Sequence, residues 1–231
     1  MSYIDCLFDK EKDRIHVVER RNGERIYQEY PANFVFYYDD PRGKFRSIYN
    51  APVARFSSRN SKEFYKELRM NSGKPVYEGD INPIFRCLEE NYKGQDAPEL
   101  NVAFFDIEVA FDLERGFSPT TDPFNPVTAI SVYLSWIDQI VTLAVPPQHM
   151  SRATAEDIVR EFDNTMIFDR EEDMLNAFLD LIEDADVLSG WNSEGYDIPY
   201  TVNRITRVLS KDDTRKFCLW GQHPKQRTFE R

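Results

Sequence analysis

Leu100-Asn101-Val102-Ala103-Phe104-Phe105-Asp106-Ile107-Glu108-Val109 is an apolar run, rich in aromatic and β-branched residues, that two carboxylates interrupt. Its composition reads as a strand buried on both faces. Successive side chains of a strand point to opposite faces, so Asp106 and Glu108, at i and i+2, share one face and converge on one volume of space. An unpaired charge buried there would be very costly, which makes a bound cation the simplest explanation. Carboxylates suit hard divalent ions that retain water and bridge to phosphate oxygens, so Mg²⁺ or Mn²⁺ is expected. Two acids at this spacing more often mark a solvated strand end, but apolar residues flank this pair on both sides.

A second segment lies ninety residues on: Gly190-Trp191-Asn192-Ser193-Glu194-Gly195-Tyr196-Asp197-Ile198-Pro199-Tyr200. A short apolar stretch ends at Gly190, and a helical pattern begins near Asp197 with Pro199 in its first turn, where proline is tolerated. Asp197 at a helix start is open to a plain reading as an N-cap, and Trp191 and Tyr196 to one as core aromatics.

Taken together, in this order and at this separation, the two segments resemble the first two exonuclease motifs of family B DNA polymerases. The likeness is strongest to the branch found in T-even-type bacteriophages and cyanophages, where an F-D-I-E strand precedes a G-W-N-x-x-x-[FY]-D-[IV]-P-Y segment. It implies an α+β N-terminal domain, residues 1–98, followed by a partial α/β ribonuclease-H-like exonuclease domain of the DEDD type with a mixed sheet, residues 99–231. The implied chemistry is proofreading, the two-metal hydrolysis of mispaired nucleotides from a primer 3′ end. Carried over by motif position, Asp106, Glu108 and Asp197 are the metal-associated acids, while Asn192 and Tyr196 hold the frayed strand. The implied partners are a single-stranded DNA 3′ end, primer-template DNA and the C-terminal remainder of a polymerase. The resemblance also raises RNA as a partner of the N-terminal domain.

Family B exonucleases use a third motif, Y-x-x-x-D, which brings a fourth acid and normally follows the second by roughly a hundred residues. It is not found in the 34 residues after Asp197. Tyr92-Lys93-Gly94-Gln95-Asp96 spells the pattern but precedes the first motif, in a polar stretch that reads as a linker between domains. The site is therefore expected to be incomplete and the chain inactive alone, with uncovered apolar surface and limited solubility. No polymerase palm motif is found. Two other readings stand beside this one: a stand-alone nuclease taking a fourth ligand from Asp112, Asp186 or a neighbouring subunit, and a non-catalytic scaffold that binds nucleic acid or a polymerase polypeptide.

The 231 residues carry a net charge of −11, unevenly spread: +1 over residues 1–98, −17 over 99–198 and +5 over 199–231. Acids such as Glu171, Glu172, Asp173, Asp180, Glu183 and Asp184 read as a solvated helix face. Arg204, Arg207, Lys211, Arg215, Lys216, Lys225 and Arg227 form a basic tail that could track a phosphate backbone or simply be solvated. Cys6, Cys87 and Cys218 are scattered and odd in number, which fits a reducing cytoplasm rather than a disulfide or zinc framework. No apolar run approaches eighteen residues, so no membrane partner is expected.

Strands are expected at 4–8, 14–20, 24–30 and 34–38, the middle two joined by an Asn22-Gly23 hairpin, and helices at 61–69, with Ser61 as its cap, and 84–91. Phe34, Phe36, Tyr37 and Tyr38 read as core rather than as a base-stacking face. Beyond residue 109, a connection holding Gly116, Pro119, Pro123 and Pro126 reads as disordered. Strands at 128–136 and 139–145 then form a hairpin, followed by a helix at 156–162 and a strand at 166–168. Asp169 is expected to cap a helix at 171–182, with a strand at 186–188 and a helix at 198–209 completing the pattern.

Overall fold

The computed structural model describes residues 2–227, which fall into two units, Met1–Glu99 and Leu100–Arg231. The first begins with an antiparallel meander, β1 (Ser2–Asp9), β2 (Arg14–Arg21) and β3 (Glu24–Pro31). Asn22 and Gly23 turn the β2–β3 hairpin with φ of 52° and 84°, the left-handed backbone that this pair of residues accommodates. A second sheet, in the order β5-β6-β4-β7, is built from β4 (Phe34–Asp39), β5 (Phe45–Arg46), β6 (Pro52–Ser58) and β7 (Val76–Tyr77). The last three have no strong sequence signal: two are only two residues long, and β6 is polar on its solvent side.

Helices α1 (Ser61–Met70) and α2 (Pro83–Tyr92) close this unit. The cap of α1 is Asn60 rather than Ser61, its side chain accepting the Glu63 N–H at 3.0 Å. Phe34 and Phe36 are buried with Ile15, Val17 and Phe64, while Tyr37 and Tyr38 are half-buried. Tyr92 ends α2 and belongs to this core, donating to Glu19 Oε1 at 2.5 Å, whereas residues 93–96 of its Y-x-x-x-D pattern follow as an exposed turn and coil that runs toward the boundary between the two units.

The second unit holds a mixed five-stranded sheet in the order β11-β10-β9-β8-β12. Strands β8 (Val102–Val109), β9 (Val127–Leu134) and β10 (Gln139–Ala144) are antiparallel. Helix α3 (Arg152–Ile158) leads to β11 (Thr165–Ile167), which joins β10 in parallel, and helix α4 (Glu171–Leu181) leads to β12 (Val187–Ser189), parallel to β8. Helix α5 (Asp197–Val208) and a 3₁₀ turn (Asp212–Phe217) follow. Helix α3 starts four residues before the expected 156 because Ser151 caps it, accepting the Thr154 N–H at 3.1 Å. Asp169 does not cap α4; Arg170 occupies the cap, and Asp169 accepts from Arg152 Nη1 at 2.9 Å instead.

The core lies between one sheet face and α4 and α5, where Phe105 meets Phe178 with ring centroids 5.3 Å apart and Met174, Leu175 and Tyr200 are fully buried. Burial holds all three cysteine thiols above their ordinary range, Cys6 up to about 12. Among the described residues no helix is long and apolar enough to cross a membrane.

Candidate active site

Strand β8 is buried on one face only. Ala103, Phe105 and Ile107 point into the core, whereas Phe104, Asp106 and Glu108 point out of the sheet and are exposed. The sequence reading of a strand buried on both faces is thus corrected: Phe104 is apolar yet 45 % exposed, and the two acids beside it are solvated. The alternation does put Asp106 and Glu108 on one face, and β8 and β9 slip register between Glu108 and Val109, so that Glu108 opposes Ala129 and Val109 opposes Val127. Such a bulge re-aims the side chains beside it.

The buried acid is Asp197, only 5 % exposed. It is the first residue of α5 rather than its cap; Tyr196 holds that position without a side-chain cap bond. The Asp197 carboxylate reaches across to β8 instead, its Oδ1 accepting the Ile107 N–H at 3.3 Å, between the two outward-facing acids. Burial pushes its pKa up, the Ile107 and its own backbone N–H groups pull it down, and the nearby Asp106 charge raises it again.

Two local features let the segments meet. Gly190 lies so close to β8 that a Cβ there would stand 2.3 Å from the Phe105 carbonyl oxygen, which excludes any side chain without a backbone shift. Asn192 takes a left-handed φ of 53°, and its carbonyl accepts the N–H groups of Gly195 and Tyr196 at 2.9 and 3.1 Å, winding the chain into α5. Tyr196 is partly buried and stacks on Tyr200 with centroids 5.2 Å apart, while Trp191 is 93 % exposed and is not a core aromatic. A cleft of about 580 Å³ opens on the outer face of the sheet, with Phe104, Asp106, Tyr133, Ile140, Gly190 and Trp191 in its wall.

An all-carboxylate donor set is the right chemistry for a hard divalent ion. Asp106 is near enough for its charge to act on Asp197, but among the described residues no three His, Cys, Asp or Glu side chains gather to hold a metal. The other two acids considered as fourth ligands are engaged elsewhere. Asp112 Oδ1 accepts the Glu114 and Arg115 N–H groups at 2.8 Å each, and Asp186 Oδ2 accepts the Asn101 N–H at 2.9 Å.

The connection from β8 to β9, expected to be disordered, is ordered by contacts remote in sequence. Ser118 and Asn125 are buried in it, and Tyr200, Asn203 and Arg204 of α5 bond to it. Much of the basic tail is likewise consumed internally. Arg204 forms a two-pronged ion pair with Glu171, Arg207 pairs with Asp122, Arg215 with Asp212 and Lys216 with Asp180. Glu171 and Asp184 therefore do not belong to a solvated helix face, since Asp184 accepts from Asn101 Nδ2 at 2.7 Å. Glu171 and Arg204 are supporting residues that sequence reasoning missed. Their only signal was that Arg204 lies seven residues, two helical turns, beyond Asp197.

Residues 75–229 match the family model of the DNA polymerase family B exonuclease domain. The chain is also similar to two phage proteins described as DNA-directed DNA polymerases. With that of Escherichia phage RB69 it is 23 % identical over 235 aligned residues, covering 92 % of this chain and 25 % of the relative. With that of Enterobacteria phage T4 it is 39 % identical over 59 residues, covering 25 % of this chain and 7 % of the relative. The chain thus spans at most a quarter of the length of these relatives.

Proposed function

The chain belongs to the family of DNA polymerase family B exonuclease domains, and from that premise we propose that Asp106, Glu108 and Asp197 are the acids of a 3′-to-5′ exonuclease site. On this reading the chain is the N-terminal and partial exonuclease portion of a phage replicative DNA polymerase, with a ribonuclease-H-like second unit. The site acts on single-stranded 3′ ends delivered from primer-template DNA, within an enzyme completed by further polymerase sequence.

The observation that carries the reading is the bond from the Ile107 N–H to Asp197 Oδ1, which joins the two motifs between the side chains of Asp106 and Glu108. Although these three carboxylates do not gather into a metal-holding cluster among the described residues, they would supply ligands to Mg²⁺ or Mn²⁺, two ions in the complete site. When bound, such ions supply Lewis-acid stabilisation of phosphate charge and a hydroxide-like nucleophile at neutral pH. The protein's own contribution is placement. The open face of β8 leaves Asp106 and Glu108 accessible to a phosphate, and the buried Asp197 is fixed by a backbone bond. Asn192 and Tyr196, in the turn that leads into α5, would hold the displaced strand beside them. Asp112 is held by the N–H groups of its own turn and Asp186 by the Asn101 N–H, which argues against their use as ligands in a stand-alone nuclease.

The test is a calorimetric Mn²⁺ titration of the chain and of an Asp106→Ala/Glu108→Ala variant, alongside cleavage of 3′-labelled single-stranded DNA. Expected is Mn²⁺ binding by the parent chain that the double substitution abolishes. Any cleavage must be lost in the same variant. Identical Mn²⁺ binding by both proteins would overturn the assignment of these acids.

A further inference from the structure

Helix α5 carries Asp197 at one end and a buried cation in its middle. Arg204 is 9 % exposed, and its guanidinium is nearly saturated. Nη1 donates to the carbonyls of Pro123 and Phe124 at 2.8 and 3.2 Å, while Nε and Nη2 donate to the two carboxylate oxygens of Glu171 at 2.8 and 2.6 Å. Glu171 Oε1 also accepts the N–H of Val127, the first residue of β9, at 2.8 Å. One turn earlier, the buried Tyr200 donates its hydroxyl proton to the Asn125 carbonyl at 2.7 Å and lies 2.5 Å from Ser118 Oγ.

These bonds converge on one spot. Val127 is the partner of Val109 across the register slip that follows Glu108. The slip leaves Thr128 without a paired residue on β8, and its Oγ1 donates to the Glu108 carbonyl at 3.1 Å. Whatever fixes Val127 therefore fixes the bulge from which the Glu108 side chain projects. The same helix fixes Asp197 on Ile107. A buried ion pair is weak evidence for stability, because well-packed apolar residues often serve as well, but it constrains geometry tightly when it is two-pronged.

We propose that the Arg204–Glu171 pair, with Tyr200, is a positioning device that sets Glu108 against Asp197 by locking the start of β9 to α5. None of these three residues touches the reacting atoms; they act through Val127 and the bulge. The functional half of the inference rests on the reading of Asp106, Glu108 and Asp197 as metal-associated acids, whereas the mechanical half does not.

The test compares backbone amide exchange, by NMR on the full chain, at Ile107 and Val127 against Leu143 in the same sheet, together with Mn²⁺ affinity. Arg204→Met should speed exchange at Ile107 and Val127 about tenfold beyond any change at Leu143, the equivalent of one lost hydrogen bond. Mn²⁺ affinity should fall about 10- to 100-fold, the usual cost of losing a partner that orients ligands. Tyr200→Phe, nearly isosteric, should do the same to a smaller extent and remains informative if Arg204→Met does not fold. Lys216→Gln, which breaks an exposed ion pair with Asp180, should change none of these readouts. Exchange at Ile107 and Val127 that moves only in step with Leu143 in both variants would overturn the proposal, leaving Arg204 a stability residue. Selective exchange at those amides in the variants, with a parent chain that binds no Mn²⁺, would support the mechanical coupling and overturn the functional half of the proposal for this chain.

Discussion

The two faces of β8 have opposite commitments although their residues alternate along the same eight positions. Ala103, Phe105 and Ile107 are buried against α4 and α5, while Phe104, Asp106 and Glu108 stand open beside the cleft. Phe104 and Phe105 are chemically identical neighbours, so what separates them is the pleat alone. Stability is concentrated on one face, which leaves the other free to carry charge. The largest expected effect tests this division directly. Phe105→Ala should cost about 3–5 kcal/mol, because the ring packs on Phe178 in a filled core. Phe104→Ala should stay within about 0.5 kcal/mol, as exposed substitutions usually do. Urea denaturation followed through the second unit measures both, and equal costs would show that the outer face is covered in solution.

Asp197 sharpens the comparison because it is an acid on the buried side of the boundary. Burial is the main cause of its raised pKa, so the folded chain disfavours its ionised form relative to the unfolded chain. For an acid shifted upward, this group's contribution to stability is fully present below the unfolded pKa and is lost as pH rises through the folded value. Asp197→Asn retains an oxygen to accept the Ile107 N–H and removes the ionisation. It should raise the melting temperature at pH 7, and the gain should shrink as pH falls below both pKa values. A variant less stable than the parent at pH 7 would mean that the carboxylate charge, not its burial, governs this position. The same substitution should weaken Mn²⁺ binding, so that stability and ligand affinity move in opposite directions.

How far the sequence foretold this arrangement depends on the range of the interactions involved. The sharing of a face by Asp106 and Glu108 was legible because strand alternation is a local rule. The burial of that face was misread because Phe104 is as apolar as Phe105 and only the tertiary structure decides which ring is covered. The cap of α1 was legible to within a residue, Asn60 for Ser61, since several polar residues stand side by side at that helix start, whereas Ser151 was missed and α3 starts four residues early. The connection from β8 to β9 looked disordered because its glycine and prolines are all that local reading sees. Its order comes from Tyr200 and Arg204, about eighty residues away. Arg204 itself looked like part of a basic tail, because charge composition does not reveal that Glu171 faces it.

The smallest effect concerns the beginning of that same connection, just beyond Glu108. Asp112 is held below its ordinary range chiefly by the backbone N–H groups of Arg115 and Glu114, which favour the ionised carboxylate. For an acid shifted downward, the stabilisation is present above the unfolded pKa and is lost as pH falls through the folded value. The Glu114 and Arg115 amides should therefore lose exchange protection in the acid range, while the core amide of Leu143 keeps its own. Asp112→Asn offers the same two amides a neutral acceptor, so it should leave the turn formed but make its protection independent of pH over that interval. If the turn in the Asn variant still opens with acid, the titrating group lies elsewhere. The open segment after β8 would then owe its shape to the anchors on α5 alone.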